Sequence, residues 1–514
     1  MTTTQVTIGI DIGTTNSKVG VFGEDGRQLS VVSRPTETLR DEKLGIAYYD
    51  PERMWRTLYS ALTEALTPLG DVAVASIGIA SMAESGLVVE RSTGAPRSPF
   101  LPWFDTCSEP QAALIREESD PFERFVASGL HGSFKLGLAK ILWIRDHIPG
   151  ALSGGDPVWL SASSWIAYRL TGRMAFDDSL AARTYAYRID RREWDAPWVR
   201  HFDLPAGLFP ESVPGGQPIG ALLPELRAGG LTASTQVAIA GHDHVAAALA
   251  VGAIRPGEVY DSMGTAETLV GTLEARPLTR DDYEAGLSFG VHIAPGRYFW
   301  MGGQSSSGGS VEWLRELLGD PALSYEQLLA LCDAARPGPT GVLYFPYLAG
   351  SGAPMPDSAS RASFVGLAKS HGKADVLKAA LEGTAYQLEM MKRSAERLAG
   401  GPIERLLVVG GGTRNPLWLS VKADITGCEL MLPGVPEASL LGAALAAGIG
   451  AGVYADAEEA VAAASTGLAA SGIEPRTIAP DAARAAAYRT LYERGFAPLQ
   501  APLRAFFAAA AAAR

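Results

Sequence analysis

The chain has 514 residues, enough for two or more domains with a large core. A formal net charge of -12, with no run of Lys or Arg, excludes the clustered positive surface that a nucleic-acid binder needs. Cys107, Cys332 and Cys428 lie far apart, with neither metal nor redox spacing, which fits inert thiols in a reducing cytoplasm. The opening MTTTQVT lacks the basic and apolar regions of a secretory signal. The longest uncharged run, SLLGAALAAGIGAGVYA, is shorter than the ~20 residues a bilayer requires and rich in Gly and Ala. It reads as a close-packed internal helix, and no membrane partner is expected.

Val6, Ile8, Ile10 and Ile12 alternate with Thr7, Gly9 and Asp11, the period of a half-buried strand. KVGVF resumes that pattern, GEDG makes a hairpin turn, and QLSVVSR a third strand. A helix follows, with Asp50 as N-cap and Pro51 at its first position; Met54, Trp55, Leu58, Ala61, Leu62 and Ala65 share one face. VASIGIAS is a short buried strand. The N-terminal part is thus an antiparallel meander followed by alternating helices and strands, an α/β arrangement. Near residue 250, HVAAALAVGAIRPG gives a short helix ending in an Arg-Pro-Gly turn.

Beyond that turn, GEVYDSMGTAETLVGTL repeats the opening: Asp261 precedes Gly264-Thr265 as Asp11 precedes Gly13-Thr14, one residue out of register. A helix over ADVLKAALEGTAYQLEMMKRSAERL puts Leu377, Leu381, Thr384, Leu388, Met391, Ala395 and Leu398 on one face, and the strand ERLLVVGGG follows. Two halves with the same beginning imply a duplicated domain. The tail APLRAFFAAAAAAR is Ala-rich and helix-prone.

A strand-turn-strand with Gly and Thr at its tip exposes backbone N–H groups and hydroxyls that suit phosphate oxygens. The GxxxxGK[ST] spacing of a Walker A loop is absent. Asp11 at the strand end suits Mg2+, directly or through water, and Lys18 can meet a phosphoryl group as a point charge. An ordinary hairpin explains the same turn residues. His242 and His244 flank Asp243, but no third His or Cys ligand lies nearby, so a zinc site is not expected. Asp243 also reads as an N-cap for the helix after it.

Taken in order, these segments resemble the FGGY carbohydrate kinases, within the superfamily of actin, hexokinase and the 70-kDa chaperone ATPases. GIDIGTTNSK is similar to the first phosphate loop and DSMGTAETL to the second. GIASMAESG and LPWFDTCSE resemble the sugar-contacting segments, and AIAGHDHVAAALAVG the catalytic Gly-x-Asp segment. GGQSSSGGSVEWLRE and LYFPYLAGSGAPMPDSASRASFVGL are similar to two further family segments, and LLVVGGGTRNPLWLSVKADITG to the adenosine motif. The resemblance implies two duplicated actin-like (ribonuclease H-like) domains around a central cleft. Residues 1–250 would carry the sugar pocket, 251–475 the nucleotide site, and 476–514 a helical tail.

By match to the family, Asp243 is the catalytic base and, with Asp11, a metal residue; the implied cofactors are ATP and Mg2+. Thr14, Thr15, Lys18, Gly264 and Thr265 match phosphate contacts, and Gly308, Glu312, Gly411, Gly412 and Asn415 match nucleotide-side positions. Glycerol kinases carry Gln where this chain has Glu312. Glu84, Ala83, Trp103, Asp105 and His244 match the sugar pocket, although Ala83 stands where glycerol kinases have Arg and xylulose kinases Met. Lys135 falls near a substrate-contacting Tyr of glycerol kinases, and a solvated surface lysine is its plainer reading.

The activity implied is ATP-dependent phosphorylation of a terminal hydroxyl of a small carbohydrate, with a ketopentose such as xylulose leading and a polyol or gluconate as alternatives. LAKILW followed by DDSLAARTYAYRIDRREWD resembles gluconate kinases. A carboxylated substrate would sit badly beside Glu84 unless a cation such as Lys135 compensated it. A chaperone or filament ATPase would need a peptide-binding domain or polymer contacts, whereas two kinase-like halves and a tail use up this chain. The expected partners are a small sugar or polyol and ATP, with a homodimer as the assembly should the chain self-associate, in the cytoplasm.

Overall fold

The computed structural model describes residues 4–512. Met1–Thr3 and Ala513–Arg514, the extremities of the opening segment and of the Ala-rich tail, lie outside the described residues. The first sheet is built from β1 (Thr4–Ile12), β2 (Asn16–Gly23), β3 (Gln28–Pro35), β4 (Val72–Ser81), β5 (Pro218–Ala221) and β6 (Gln236–His242), in the order β3-β2-β1-β4-β6-β5. β1, β2 and β3 form the expected antiparallel meander, β4 and β6 run parallel to β1, and β5 closes the edge antiparallel.

The second sheet contains β7 (Val259–Met263), β8 (Glu267–Glu274), β9 (Ser288–Val291), β10 (Arg297–Gln304), β11 (Arg405–Val409), β12 (Glu429–Leu432) and β13 (Arg476–Ile478). Its order β10-β8-β7-β11-β12-β13 repeats the first sheet strand for strand, with the same directions, and β9 is added beyond β10. The duplication inferred from two short motifs is therefore a duplication of whole sheets. β13 lies within the segment expected as a helical tail, so that tail begins with an edge strand of the second sheet. Helices Ala482–Leu491 and Ala497–Ala512 follow, and Tyr488, Tyr492 and Phe496 are buried beside Phe345, Tyr347 and Tyr386.

α1 (Pro51–Leu66) starts where its boundary residues place it, the Asp50 carboxylate accepting the Arg53 N–H. α2 (Asp243–Ala250) and α6 (Ala438–Gly450) lie between the sheets, and α3 (Gly308–Leu317), α4 (Lys373–Ala399) and α5 (Pro416–Thr426) belong to the second lobe. α6 is the uncharged run read as an internal helix. It comes from the second half of the sequence yet packs on β1, β4 and β6 and against α2. The approach is close because the residues are small: a Cβ on Gly442 would sit 1.8 Å from the Ala246 carbonyl oxygen. Ala80 and Ala240 of the first sheet and Tyr260, Val270, Phe299 and Val409 of the second share one core with these two helices. That shared core fixes the lobes beside each other and brings the first residues of α2 to the cleft. Among the described residues, no helix is long and apolar enough to cross a membrane.

Candidate active site

Asp11 is next to the last residue of β1, immediately before the first Gly-Thr tip. The tip is braced by Gly13 N–H donating to the Asn16 carbonyl at 3.1 Å and by the Thr36 hydroxyl donating to the Gly13 carbonyl at 2.8 Å. Thr15 is exposed at the tip, while Thr14 accepts the Trp103 indole N–H at 2.8 Å. Asp11 Oδ1 is buried with no hydrogen-bond partner. Burial first, then the charge of Asp243, push the Asp11 pKa up to about 8, with Lys18 opposing. A carboxylate oxygen left bare in this way fits a cation ligand. Among the described residues no cluster of three or more His, Cys, Asp or Glu side chains is placed to hold a metal. The fit is therefore to an ion that keeps water and phosphate oxygens in its shell, as Mg2+ does.

Asp243 is the first residue of α2, and His242, not Asp243, is the N-cap. The cap reading of Asp243 was one residue late, which leaves its carboxylate free to face the cleft. Its Oδ1 lies 2.9 Å from His242 Nδ1 and accepts the His244 backbone N–H at 2.7 Å. Burial acts to raise its pKa, but the His244 and His242 charges and these donors outweigh that and hold it at about 2. The turn into α2 is fixed from below. Asp177 Oδ2 accepts the Ser179 hydroxyl at 2.5 Å, and that hydroxyl oxygen accepts the His242 backbone N–H at 2.9 Å. Gly241 has φ +100, and a Cβ there would stand 2.3 Å from Ser179 Oγ, so only glycine fits. His244 Nδ1 is 3.3 Å from the Tyr260 hydroxyl of the second lobe. The two histidines thus orient Asp243 and join the lobes.

The second Gly-Thr tip, Gly264 and Thr265, is exposed between β7 and β8, and its carbonyls accept the Gly308 and Gly309 N–H groups at 3.1 and 3.0 Å. Gly410 follows β11 beside this tip: Cβ atoms built on it and on Gly412 would meet Met263 at 2.6 and 2.8 Å. Gly411 and Gly412 lie in a 3-10 turn before α5, which Asn415 caps by accepting the Trp418 N–H. Glu312 on α3 is bound by Arg315 at 2.9 Å and by the Tyr325 hydroxyl at 3.2 Å. Lys18 pairs with Glu437, the residue before α6, at 2.6 Å. It therefore ties the first phosphate loop to the other lobe instead of pointing free into the cleft.

The register offset between the two motifs has a structural consequence. Asp261 stands three positions before Gly264, whereas Asp11 stands two before Gly13. Side chains alternate along a strand, so Asp261 faces the opposite side of its sheet. There it meets Lys422 of α5 at 2.5 Å; Lys422 also pairs with Glu267, and all three side chains are fully buried. Tyr260 and Ser262, the alternate residues, take the other side instead, where the Tyr260 hydroxyl meets His244.

Around Glu84 the structure builds a nearly sealed ion pair. Glu84 has φ 59, uncommon for a residue with a side chain, and Arg183 grips its Oε1 through Nε at 2.7 Å and through a second nitrogen. Both side chains are 9% exposed. Ala83 is buried beside Glu84, and Arg183, a hundred positions later in the chain, brings the guanidinium that position 83 lacks. Lys135 is half-buried, not a solvated surface lysine. Its Nζ lies 5.1 Å from the centre of the Trp103 ring, and burial pushes its pKa down, with Glu84 opposing and Arg183 reinforcing. The Asp105 oxygens accept backbone N–H groups of Ala47 at 2.6 Å and Cys107 at 2.8 Å, so this carboxylate braces the pocket wall. Burial pushes the His244 pKa down, and among the smaller effects Glu84 opposes and Arg183 reinforces it, so this ion pair lies near the residue that follows Asp243.

Arg183, Glu437, Tyr260 and the Lys422 group were not found from sequence. Arg183 lies in a segment quoted only for its resemblance to gluconate kinases, and no local pattern marks a long-range ion pair.

The family model described as FGGY family of carbohydrate kinases matches in two parts, its N-terminal domain over residues 6–250 and its C-terminal domain over 259–451. The chain is 31% identical over 465 residues to a glycerol kinase of Methylibium petroleiphilum, covering 88% of this chain and 92% of that one. It is 29% identical to a xylulose kinase of Bacillus subtilis over 88% of this chain and 89% of that one. The structure of a xylulose kinase from Rhodospirillum rubrum matches with a TM-score of 0.85 at 27% identity, over 98% of this chain and 99% of that one. Both family domains occur in order, on duplicated sheets whose cleft holds Asp11 and Asp243, and the chain belongs to the FGGY family of carbohydrate kinases, phosphotransferases that use ATP as donor.

Proposed function

We propose that this kinase transfers the terminal phosphoryl group of ATP to a terminal hydroxyl of a small open-chain carbohydrate held between its lobes. Residues 1–250 supply the acceptor pocket and residues 251–475 the nucleotide side. The observation that carries the reading is the placing of Asp243 near enough to Asp11 to raise its pKa, with Asp11 beside one Gly-Thr tip and Asp243 joined through His244 to Tyr260, just before the other. Thr14, Thr15, Gly264 and Thr265 grip the phosphates, aided by the N-terminal ends of α2 and α6. Asp11 and Asp243 would hold Mg2+, which when bound neutralises phosphate charge.

His244 and His242 hold the Asp243 carboxyl below its ordinary range against the effect of burial, which keeps it the carboxylate a base requires. It takes the acceptor's proton as the acceptor oxygen bonds to phosphorus and the bond from phosphorus to the ADP oxygen breaks. A weak base suffices because the loose transition state gives up that proton late. The test is to incubate the protein with ATP, Mg2+ and a panel of ketoses, polyols and sugar acids while following ADP. ADP release that no acceptor raises above background hydrolysis overturns the reading.

A ketopentose such as xylulose is the acceptor the motif pattern favours. A sugar acid is a second reading, favoured by the cations Arg183 and Lys135 around Glu84. In either case Glu84→Ala raises the acceptor KM by about tenfold to a hundredfold, the worth of one hydrogen bond to a charged group, and moves the ATP KM far less. An unchanged acceptor KM removes Glu84 from the pocket. The lobes also close when both ligands bind. Small-angle scattering with an acceptor and a non-hydrolysable ATP analogue then gives a smaller radius of gyration than either ligand alone, and identical curves count against closure.

A further inference from the structure

We propose that Glu437 is a specificity-determining residue for the nucleotide's terminal phosphate: it holds Lys18 while no phosphoryl group is present, yields it to ATP, and reclaims it after transfer. The inference rests on the kinase reading and gives a part in it to a residue that no motif marked.

The geometry starts from two cross-strand pairs on one face of the first sheet. Gly9 stands opposite Gly20 in the β1–β2 ladder, and Asp11 stands opposite Lys18. Two positions along a strand return to the same face, so the two pairs lie side by side, about 7 Å apart. α6 covers this face and runs against the direction of β1. A Cβ on Gly448 would stand 3.5 Å from Thr7, and one on Gly9 would stand 1.9 Å from the Leu440 carbonyl oxygen. A Cβ on Gly20 would meet the Leu440 side chain at 2.6 Å. The glycine pair therefore seats the first turn of the helix. Glu437 comes one turn before Leu440, about 5 Å nearer the strand end, and so over the Asp11–Lys18 pair. Its carboxylate meets Lys18 Nζ at 2.6 Å and makes no capping bond to its own helix.

The chemistry follows from what such a place holds. The first N–H groups of α6 have no intrahelical partner, and the positive end of the helix dipole favours an anion there. Glu437 supplies that anion from the chain itself. Lys18 is a compact ammonium on a flexible stem. The two side chains are 27% and 31% exposed, so solvent weakens the pair and phosphate oxygens can compete for the lysine. Besides burial, the charges of Asp243, Lys18 and Glu437 act on Asp11. The exchange of partners thus takes place where the acceptor hydroxyl and the terminal phosphate meet. ADP ends one phosphate short of that point, so the competition weighs on ATP more than on ADP. Once the phosphoryl group has passed to the acceptor, the return of Lys18 to Glu437 withdraws a cation from the phosphorylated product and favours its release.

The experiment is calorimetric titration of the full chain, with Mg2+ present, by a non-hydrolysable ATP analogue and by ADP. Glu437→Gln keeps the length of the side chain and removes its charge. It tightens the analogue about twofold to fivefold, the range of a partly exposed ion pair, and ADP less, so the ratio of the two affinities rises. Lys18→Met weakens the analogue about tenfold and lowers the same ratio. A Glu437→Gln variant that weakens the analogue, or leaves the ratio unchanged, overturns the inference, because a carboxylate that merely steadies α6 has no preference for a terminal phosphate. A Lys18→Met variant with an unchanged ratio overturns it as well. Both results leave the kinase reading in place. Failure of the unaltered chain to bind either nucleotide overturns the kinase reading itself.

Discussion

Asp243→Asn lowers kcat by about two to four orders of magnitude, the usual contribution of a positioned general base, while ATP still binds. Asparagine keeps the shape of the side chain, and its Oδ1 can still accept the His244 backbone N–H that fixes the start of α2. What is lost is a group able to take a proton. Because the charge of Asp243 raises the Asp11 pKa, its removal also eases ionisation of Asp11, which stays as a carboxylate for the metal, so nucleotide affinity persists while turnover is lost. Steady-state ADP release beside calorimetric titration with an ATP analogue separates the two quantities. Full activity in this variant removes Asp243 from the chemistry.

Lys422→Met destabilises the protein by about 3–5 kcal/mol, because it strands two carboxylates in a site without water. Burial works against the Lys422 charge, but Asp261 and Glu267 outweigh it and raise its pKa. Burial likewise pushes Asp261 up to about 7 against the pull of Lys422. Glu267 also accepts Gln304 Nε2 at 2.8 Å and the Ser307 hydroxyl at 2.5 Å, so loss of the lysine loosens the strands that carry the Gly264-Thr265 tip. At about 2–4 °C per kcal/mol for a lobe of this size, scanning calorimetry shows the thermal midpoint falling by roughly 6–20 °C. Replacing all three residues by apolar ones of similar volume recovers most of that loss. An unchanged midpoint in the single variant shows that the group carries no such weight.

The site was legible where its chemistry is local. A Gly-Thr tip after an alternating strand is a contiguous pattern, and Asp11, Thr14, Gly264 and Thr265 stand on such tips. The Asp50-Pro51 start of α1 and the Asn415-Pro416 start of α5 were equally plain, since a cap needs only its own helix. Sequence reading failed at residues whose role depends on a distant partner. Lys18 reads as a phosphate ligand until Glu437 comes into contact with it, and Lys135 as a surface lysine until Trp103 shields it. Glu84 reads as a sugar-pocket carboxylate, and nothing near it in sequence announces the Arg183 that pairs with it. α4 shows the same limit: its apolar stripe was read correctly, yet Lys378, Glu382, Gln387, Glu389 and Lys392 are buried as well, because the helix is covered on more than one side.

By itself the sequence determined that this protein has two α/β halves with the same beginning, that each half offers an exposed Gly-Thr turn after a strand, and that an acidic residue opens the helix between them. Strand alternation, turn residues and helix caps act over a few positions, and a single chain displays them directly. The tertiary structure alone decided which of the two repeated aspartates faces the cleft, since a shift of one residue turns a strand side chain to the other side of its sheet. It also decided how the surroundings of Glu84 and Lys18 are charged, because their ion pairs with Arg183 and Glu437, far along the chain, exist only after it has packed.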